Sequence, residues 1–394
     1  MLQNKILTQY LAVIVAGMLC LITGCDSSQL SLLQKDINNI ARRWVPDQRE
    51  GICNVRVTRG RGGSVILTGE TMIGEAKREM LTLAETYGII MVDSIRMLPD
   101  TSEGNRGWGL ITLSVANIRK QPEHEAEMTS QAVMGTPVRV LKIDNGWLWI
   151  QTPDNYLGWT EEASVDLMDD AALLKWQRSD RIMYTDNTGW ISDKTGKEVV
   201  SDIVAGSVLE TTARTEMDYE IELPDGRKGV IPKEQAVDFK IWKSAIQPTG
   251  LAVCKTAVSV AGIPYLWGGT SPKAADCSGF VQSVYFRNGI CLRRDASLQL
   301  HQGQEIDITH WDITFREGDL LFFGSNRETH HATHVAIYLG NSEFIHASGR
   351  VMVSSLDTAR SNFDLGRKET LIAARRIINT TGNKVLTIAE HPWY

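Results

Sequence analysis

The chain has 394 residues, 43% of them hydrophobic and 22% charged, with a formal net charge of −6. These proportions are ordinary for globular protein, and the length suggests two to four domains. The negative balance argues against nucleic acid as a main partner.

The N-terminus carries Lys5, an apolar run from Leu11 to Ile22, and then Leu21-Ile22-Thr23-Gly24-Cys25. A short apolar core ending in small residues predicts a secretory signal rather than a membrane span. The Leu-Ile-Thr-Gly-Cys ending resembles a bacterial lipobox. That resemblance implies a signal peptide over residues 1–25, lipidation of Cys25, and anchoring to a membrane of the bacterial cell envelope, on its periplasmic or surface face. An ordinary cleaved signal with an incidental cysteine is the alternative.

Residues 26–100 predict a small α+β domain. Polar, helix-forming sequence runs to Trp44. From Asn54, two alternating runs flank a Gly-rich turn and predict a hairpin. An amphipathic helix follows, ending at Gly88, and then a third strand, closed by Pro99. No catalytic cluster is visible, which leaves packing or partner binding as its role.

Thr101 to Gly107 reads as a linker. Residues 108–170 are short alternating runs broken by Asn-Gly and Asp-Asn turns, a pattern that predicts a small barrel. Asn117-Ile118-Arg119, Gly146-Trp147 and Gly158-Trp159 resemble a bacterial SH3-like domain. Residues 171–242 repeat the theme more loosely, with Trp190, a Thr188-Gly189 turn and a hairpin turn through Leu223–Gly229, and are read as a second such domain. The eleven tryptophans are assigned to barrel cores rather than to sugar-binding surfaces.

The stretch Pro264–Phe280, PYLWGGTSPKAADCSGF, passes from a loop into a helix at Cys277. Phe280, Val281, Val284 and Tyr285 follow at helical spacing. Cys277 is therefore expected in the first turn, where unpaired N–H groups and the positive end of the helix dipole favour a thiolate. Taken alone, Cys277 reads better as a buried structural thiol, the more common setting of a free cysteine. Downstream, His334 opens the strand HVAIYLG, and His346 lies in a second strand, after the turn Gly340-Asn341-Ser342. A cysteine at a helix start facing a histidine on a sheet is the papain-like arrangement, with a third polar group orienting the imidazole. His346 is that third group here.

The blocks PYLWGG, DCSGF, REGDLLFF, HVAIYLG and FIHAS together resemble the NlpC family of bacterial cell-wall cysteine peptidases, over residues 245–380. The resemblance implies an α+β chain: a papain-like NlpC domain preceded by two SH3-like barrels and the small N-terminal domain. Two SH3-like domains before such a domain resemble the subgroup that cleaves γ-D-glutamyl–diamino acid bonds (meso-diaminopimelate or Lys) in released peptidoglycan stem peptides. In that subgroup the first barrel walls off the cleft, so that a free N-terminal L-Ala is required.

By the same resemblance, Tyr265 assists the Cys277 amide at the oxyanion, and Asp276 and Ser278 hydrogen-bond substrate. Asp295 receives the substrate ammonium, with Ala296 standing where the subgroup often has Ser. Tyr156 and Glu127 belong to the ammonium site, with Glu123 or Glu125 as alternatives to Glu127. No cofactor or metal is implied, and a monomer is expected. A metal reading of His330, His331 and His334 is the lesser alternative. Cys53, Cys254 and Cys291 are expected as buried free thiols, against a Cys254–Cys291 bridge. A thiol acyltransferase and a non-catalytic wall-binding lipoprotein are the competing readings of the whole.

Overall fold

The computed structural model describes residues 27–102, 104–325, 331–380 and 385–394; Cys25 and His330 lie outside them. The chain separates into two compact units, one through Asp100 and the other from Thr101 onward.

In the first unit, the helix Ser27–Trp44 buries Leu33, Ile37 and Ile40, one stripe at a spacing of about a turn. The helix Gly74–Thr86 buries Ala76, Met80 and Ala84 in the same way. Both share a core with a three-stranded sheet. Strand Cys53–Arg59 pairs antiparallel with Val65–Thr71, and Val65–Thr71 pairs parallel with Met91–Met97 through the helical crossover. The hairpin, the helix and the third strand all stand where the sequence pattern puts them.

The second unit begins with a seven-stranded antiparallel sheet running from Trp108 to Met168. Asn145 and Gly146 both take positive φ, 47° and 82°, which suits a two-residue hairpin joining Pro137–Asp144 to Trp147–Gln151. Ile118, Val138, Val140, Leu148 and Ile150 fill its core. A second seven-stranded sheet runs from Arg181 to Asp238. Thr188-Gly189 is not a turn but part of the strand Thr188–Ser192. Gly189 stands there for space, since a Cβ would lie 1.9 Å from the Tyr184 hydroxyl. Trp190 is 62% exposed and contributes nothing to that core.

Residues 250–376 form a helix layer on a six-stranded antiparallel sheet. The nucleophile helix, Cys277–Phe286, buries Phe280, Val281, Val284 and Tyr285 against Leu320, Phe322, Val335, Ile337 and Ile345 of the sheet. Beneath that face, Leu320–Phe323 pairs with His334–Gly340, which pairs with Glu343–Ser348. Cys53, Cys254, Cys277 and Cys291 are unbridged, and Cys291 is only half-buried as a residue.

Candidate active site

Cys277 is the first residue of its helix, capped by Asp276, whose Oδ1 accepts the Gly279 N–H at 2.7 Å. The thiol is 8% exposed. The Val335 amide, next to His334 on the sheet, and the Ser278 amide lie near enough to the sulfur to favour its charged form. Those contacts bring the helix start to the strand that carries the histidine.

His334 Nε2 lies 2.8 Å from His346 Nδ1, and His346 Nε2 lies 3.2 Å from Ser354 Oγ. The first contact occupies Nε2 of His334 and leaves Nδ1 as its other ring nitrogen. For Nδ1 to accept a proton, Nε2 must carry the ring hydrogen and donate it to His346 Nδ1. His346 then holds its own hydrogen on Nε2 and donates it to Ser354. Ser354, on the strand Arg350–Ser355, thus completes the chain that fixes both tautomers; no motif in the sequence pointed to it.

Burial pushes the Cys277 thiol up to about 11, with the Asp276 charge adding to the effect. Burial also pulls His334 down to about 2 and His346 to about 4, assisted for both by the Arg367 cation. Charge on either partner alone is disfavoured, so the resting state is thiol and imidazole, with proton transfer coupled to attack. Because both histidine values are lowered, the imidazoles stay neutral as pH falls through 6.5; His346 gains a proton only near 4 and His334 lower still. The acid limb of kcat/KM is therefore expected below about pH 5. A limb centred near the ordinary histidine value, ~6.5, would contradict this.

Tyr265 is half-buried against the catalytic core, and its hydroxyl is pushed up to about 12 by burial and then by the neighbouring sulfur of Cys277.

Asp276 and Ser278 are engaged differently from the substrate contacts expected of them. Arg294, 1% exposed, clamps the Asp276 carboxylate with Nη2–Oδ2 at 2.6 Å and Nη1–Oδ1 at 3.1 Å. Oδ2 also accepts the Gly268 N–H at 2.9 Å. Ser278 Oγ donates to Oδ1 at 3.2 Å and accepts from Arg294 at 3.0 Å. Both side chains are filled by protein partners and hold the nucleophile loop in place.

The first barrel is built into the same site. Arg294 Nε donates to Ser130 Oγ at 3.1 Å, and the Thr270 amide to Gln131 Oε1 at 3.1 Å. Gly268, at φ 78°, passes so close to Met128 that a Cβ would lie 2.4 Å from its carbonyl oxygen. The Tyr156 hydroxyl donates to Asp295 Oδ2 at 3.2 Å, which joins two of the residues expected at the substrate's amino end. Their loop is braced from below, where Gln282 of the nucleophile helix donates to Asp154 at 2.7 Å. Glu127 reaches the catalytic layer elsewhere: Oε1 accepts from Trp267 Nε1 at 3.0 Å, and Oε2 lies 3.4 Å from Lys120.

A thiol at a helix start, beside the strand that carries an imidazole oriented by a second imidazole, matches the plan of a papain-like cysteine hydrolase. The family model for NlpC/P60 matches residues 262–365, and that for the bacterial dipeptidyl-peptidase SH3 domain matches residues 118–165. Dipeptidyl-peptidase 6 of Lysinibacillus sphaericus is 30% identical over 264 residues, covering 63% of this chain and 91% of the relative. Gamma-D-glutamyl-L-lysine dipeptidyl-peptidase of Bacillus cereus is 26% identical over 230 residues, covering 56% and 67%. A solved NlpC/P60 family protein from Bacillus cereus superposes with a TM-score of 0.60 at 21% identity, covering 69% of this chain and 99% of that one. The chain belongs to the NlpC/P60 family.

Proposed function

We propose that the protein is a cysteine peptidase that hydrolyses the γ-D-glutamyl–diamino acid amide bond of peptidoglycan stem peptides carrying a free N-terminal L-Ala. The observations that carry the reading are the His334–His346 contact on the strand whose Val335 amide lies at the Cys277 sulfur, and the Tyr156–Asp295 pair shared by barrel and catalytic layer. Two relatives whose names specify dipeptidyl-peptidase activity, one of them on a gamma-D-glutamyl-L-lysine bond, support the choice of bond.

In the proposed reaction the sulfur attacks the γ-carbonyl of D-Glu while His334 takes the thiol proton. The Cys277 amide and the Tyr265 hydroxyl receive the oxyanion. His334 then protonates the leaving amine, leaving a thioester on Cys277. Water, deprotonated by His334, attacks the thioester and releases L-Ala-D-Glu.

The paired Tyr156 and Asp295 suit an ammonium group, a hydroxyl beside a carboxylate. N-acetylation of L-Ala removes the positive charge and adds bulk at the walled end. It is expected to lower kcat/KM by about 10²-fold or more, an effect sized by a lost charge-assisted hydrogen bond together with a steric clash. Equal rates on acetylated and free peptides, measured by product chromatography, would remove the gate.

A peptidoglycan substrate, in keeping with a relative named as a gamma-D-glutamyl-L-lysine dipeptidyl-peptidase, places the proposed activity at the cell envelope. A lipid anchor on Cys25 fits that setting as a further part of the proposal. No described helix is long and apolar enough to cross a membrane.

A further inference from the structure

We propose that Arg367 is a carboxylate receptor at the catalytic cleft, binding an anionic group of the substrate beside the bond that is cut. This rests on the hydrolase reading above.

Arg367 lies on the helix Leu365–Thr370, whose start is capped by Asp364 through the Arg367 main-chain N–H at 3.0 Å. Its side chain does not turn back to that carboxylate for a salt bridge. Instead the guanidinium carbon sits 5.4 Å from the ring centroid of Phe323. Phe323 is fully buried, and its ring lies 5.8 Å from that of His334, which is itself 5.0 Å from that of His346. The cation is therefore stacked on the residue that backs the catalytic imidazole, half-buried, with its field reaching Cys277 and both histidines.

Among the described residues, no carboxylate or carbonyl accepts a hydrogen bond from this guanidinium. Arg294 shows the contrast: its charge also acts on Cys277, yet it is saturated by Asp276, Ser278 and Ser130. A partly desolvated guanidinium with no acceptor among the described residues is costly to keep. Its planar fork of donors matches a carboxylate.

The proposed substrate supplies two such groups near the scissile amide. One is the α-carboxylate of the γ-linked D-Glu. The other is the distal carboxylate of diaminopimelate, which lysine lacks. Binding either would neutralise a cation that otherwise opposes protonation of His334, so occupancy would also ease proton transfer from the thiol.

The test compares wild type with Arg367→Gln and Arg367→Lys at pH 7, on peptides amidated at the C-terminus. The peptides are L-Ala-γ-D-Glu-diaminopimelate, its lysine counterpart, and the lysine peptide with D-isoglutamine in place of D-Glu. Wild-type turnover of the first peptide tests the hydrolase reading by itself. If that holds, R367Q is expected to lower kcat/KM about 10–10²-fold on peptides bearing the received carboxylate, with less than about threefold effect on those without it. R367K should recover part of the loss. A drop from the first peptide to the second identifies the distal carboxylate, and a drop from the second to the third the D-Glu carboxylate. An equal loss on all three peptides would place the cation's action on the catalytic groups rather than on substrate, and no loss on any would remove its role; either result overturns the proposal.

Discussion

Cys277→Ala is expected to abolish cleavage of L-Ala-γ-D-Glu-diaminopimelate while leaving the unfolding transition nearly where it was. The loss in kcat is put on the order of 10⁶, the scale seen when a triad nucleophile is removed, because the acyl intermediate forms on this sulfur. Stability changes little because one buried sulfur is lost from a core otherwise made by Phe280, Val281, Val284 and Val335. His334→Ala should cost nearly as much, and the double variant hardly more, since thiol and imidazole act as one unit. Turnover within tenfold of wild type in C277A, measured by liquid chromatography of the released dipeptide, would remove the nucleophile from the account.

Asp276→Ala should be the most destabilising single change near the site. It strands Arg294, 1% exposed, without its carboxylate, and it takes the cap from the nucleophile helix. Breaking one side of a buried ion pair costs ~3–5 kcal/mol, and loss of a helix cap adds ~1 kcal/mol. Removing both charges in Asp276→Ala with Arg294→Met should restore much of that stability, because the isolated buried cation is the larger part of the penalty. Hydrogen exchange of the helix amides reads this unit separately from residues 27–100. Protection equal to wild type in D276A, or a double variant less stable than D276A, would contradict the assignment of the pair as the anchor of the loop.

The parts of this site that were legible in the sequence are those written locally. Cys277 at a helix start, with apolar residues at 280, 281, 284 and 285, is a pattern of ten residues, and the helix forms on that face. His334 and His346 each stand in a β-branched or aromatic run, and antiparallel pairing of those strands brings their rings together. The Asn145-Gly146 hairpin was likewise set by two adjacent residues.

What was not legible depends on which distant groups meet. Asp276 and Ser278 looked like substrate contacts because they flank the nucleophile. They are occupied because Arg294, sixteen and more positions away, is folded beneath them. Glu127 carries the right charge for an ammonium, but the packing of Gly268 on Met128 brings Trp267 to it instead. Ser354 and Arg367 lie in segments whose local pattern marks only a strand and a short helix. Thr188-Gly189 resembled a turn because glycine is common in turns; here the glycine makes room for Tyr184.

The central claim is that a thioester on Cys277 is resolved by water. It is tested most directly by mass spectrometry of the products from free L-Ala-γ-D-Glu-diaminopimelate in ¹⁸O-labelled water. The account predicts L-Ala-D-Glu with one heavy oxygen in its γ-carboxyl group, together with free diaminopimelate. An uncut peptide, or a product joined to an added amine and carrying no heavy oxygen, would contradict it.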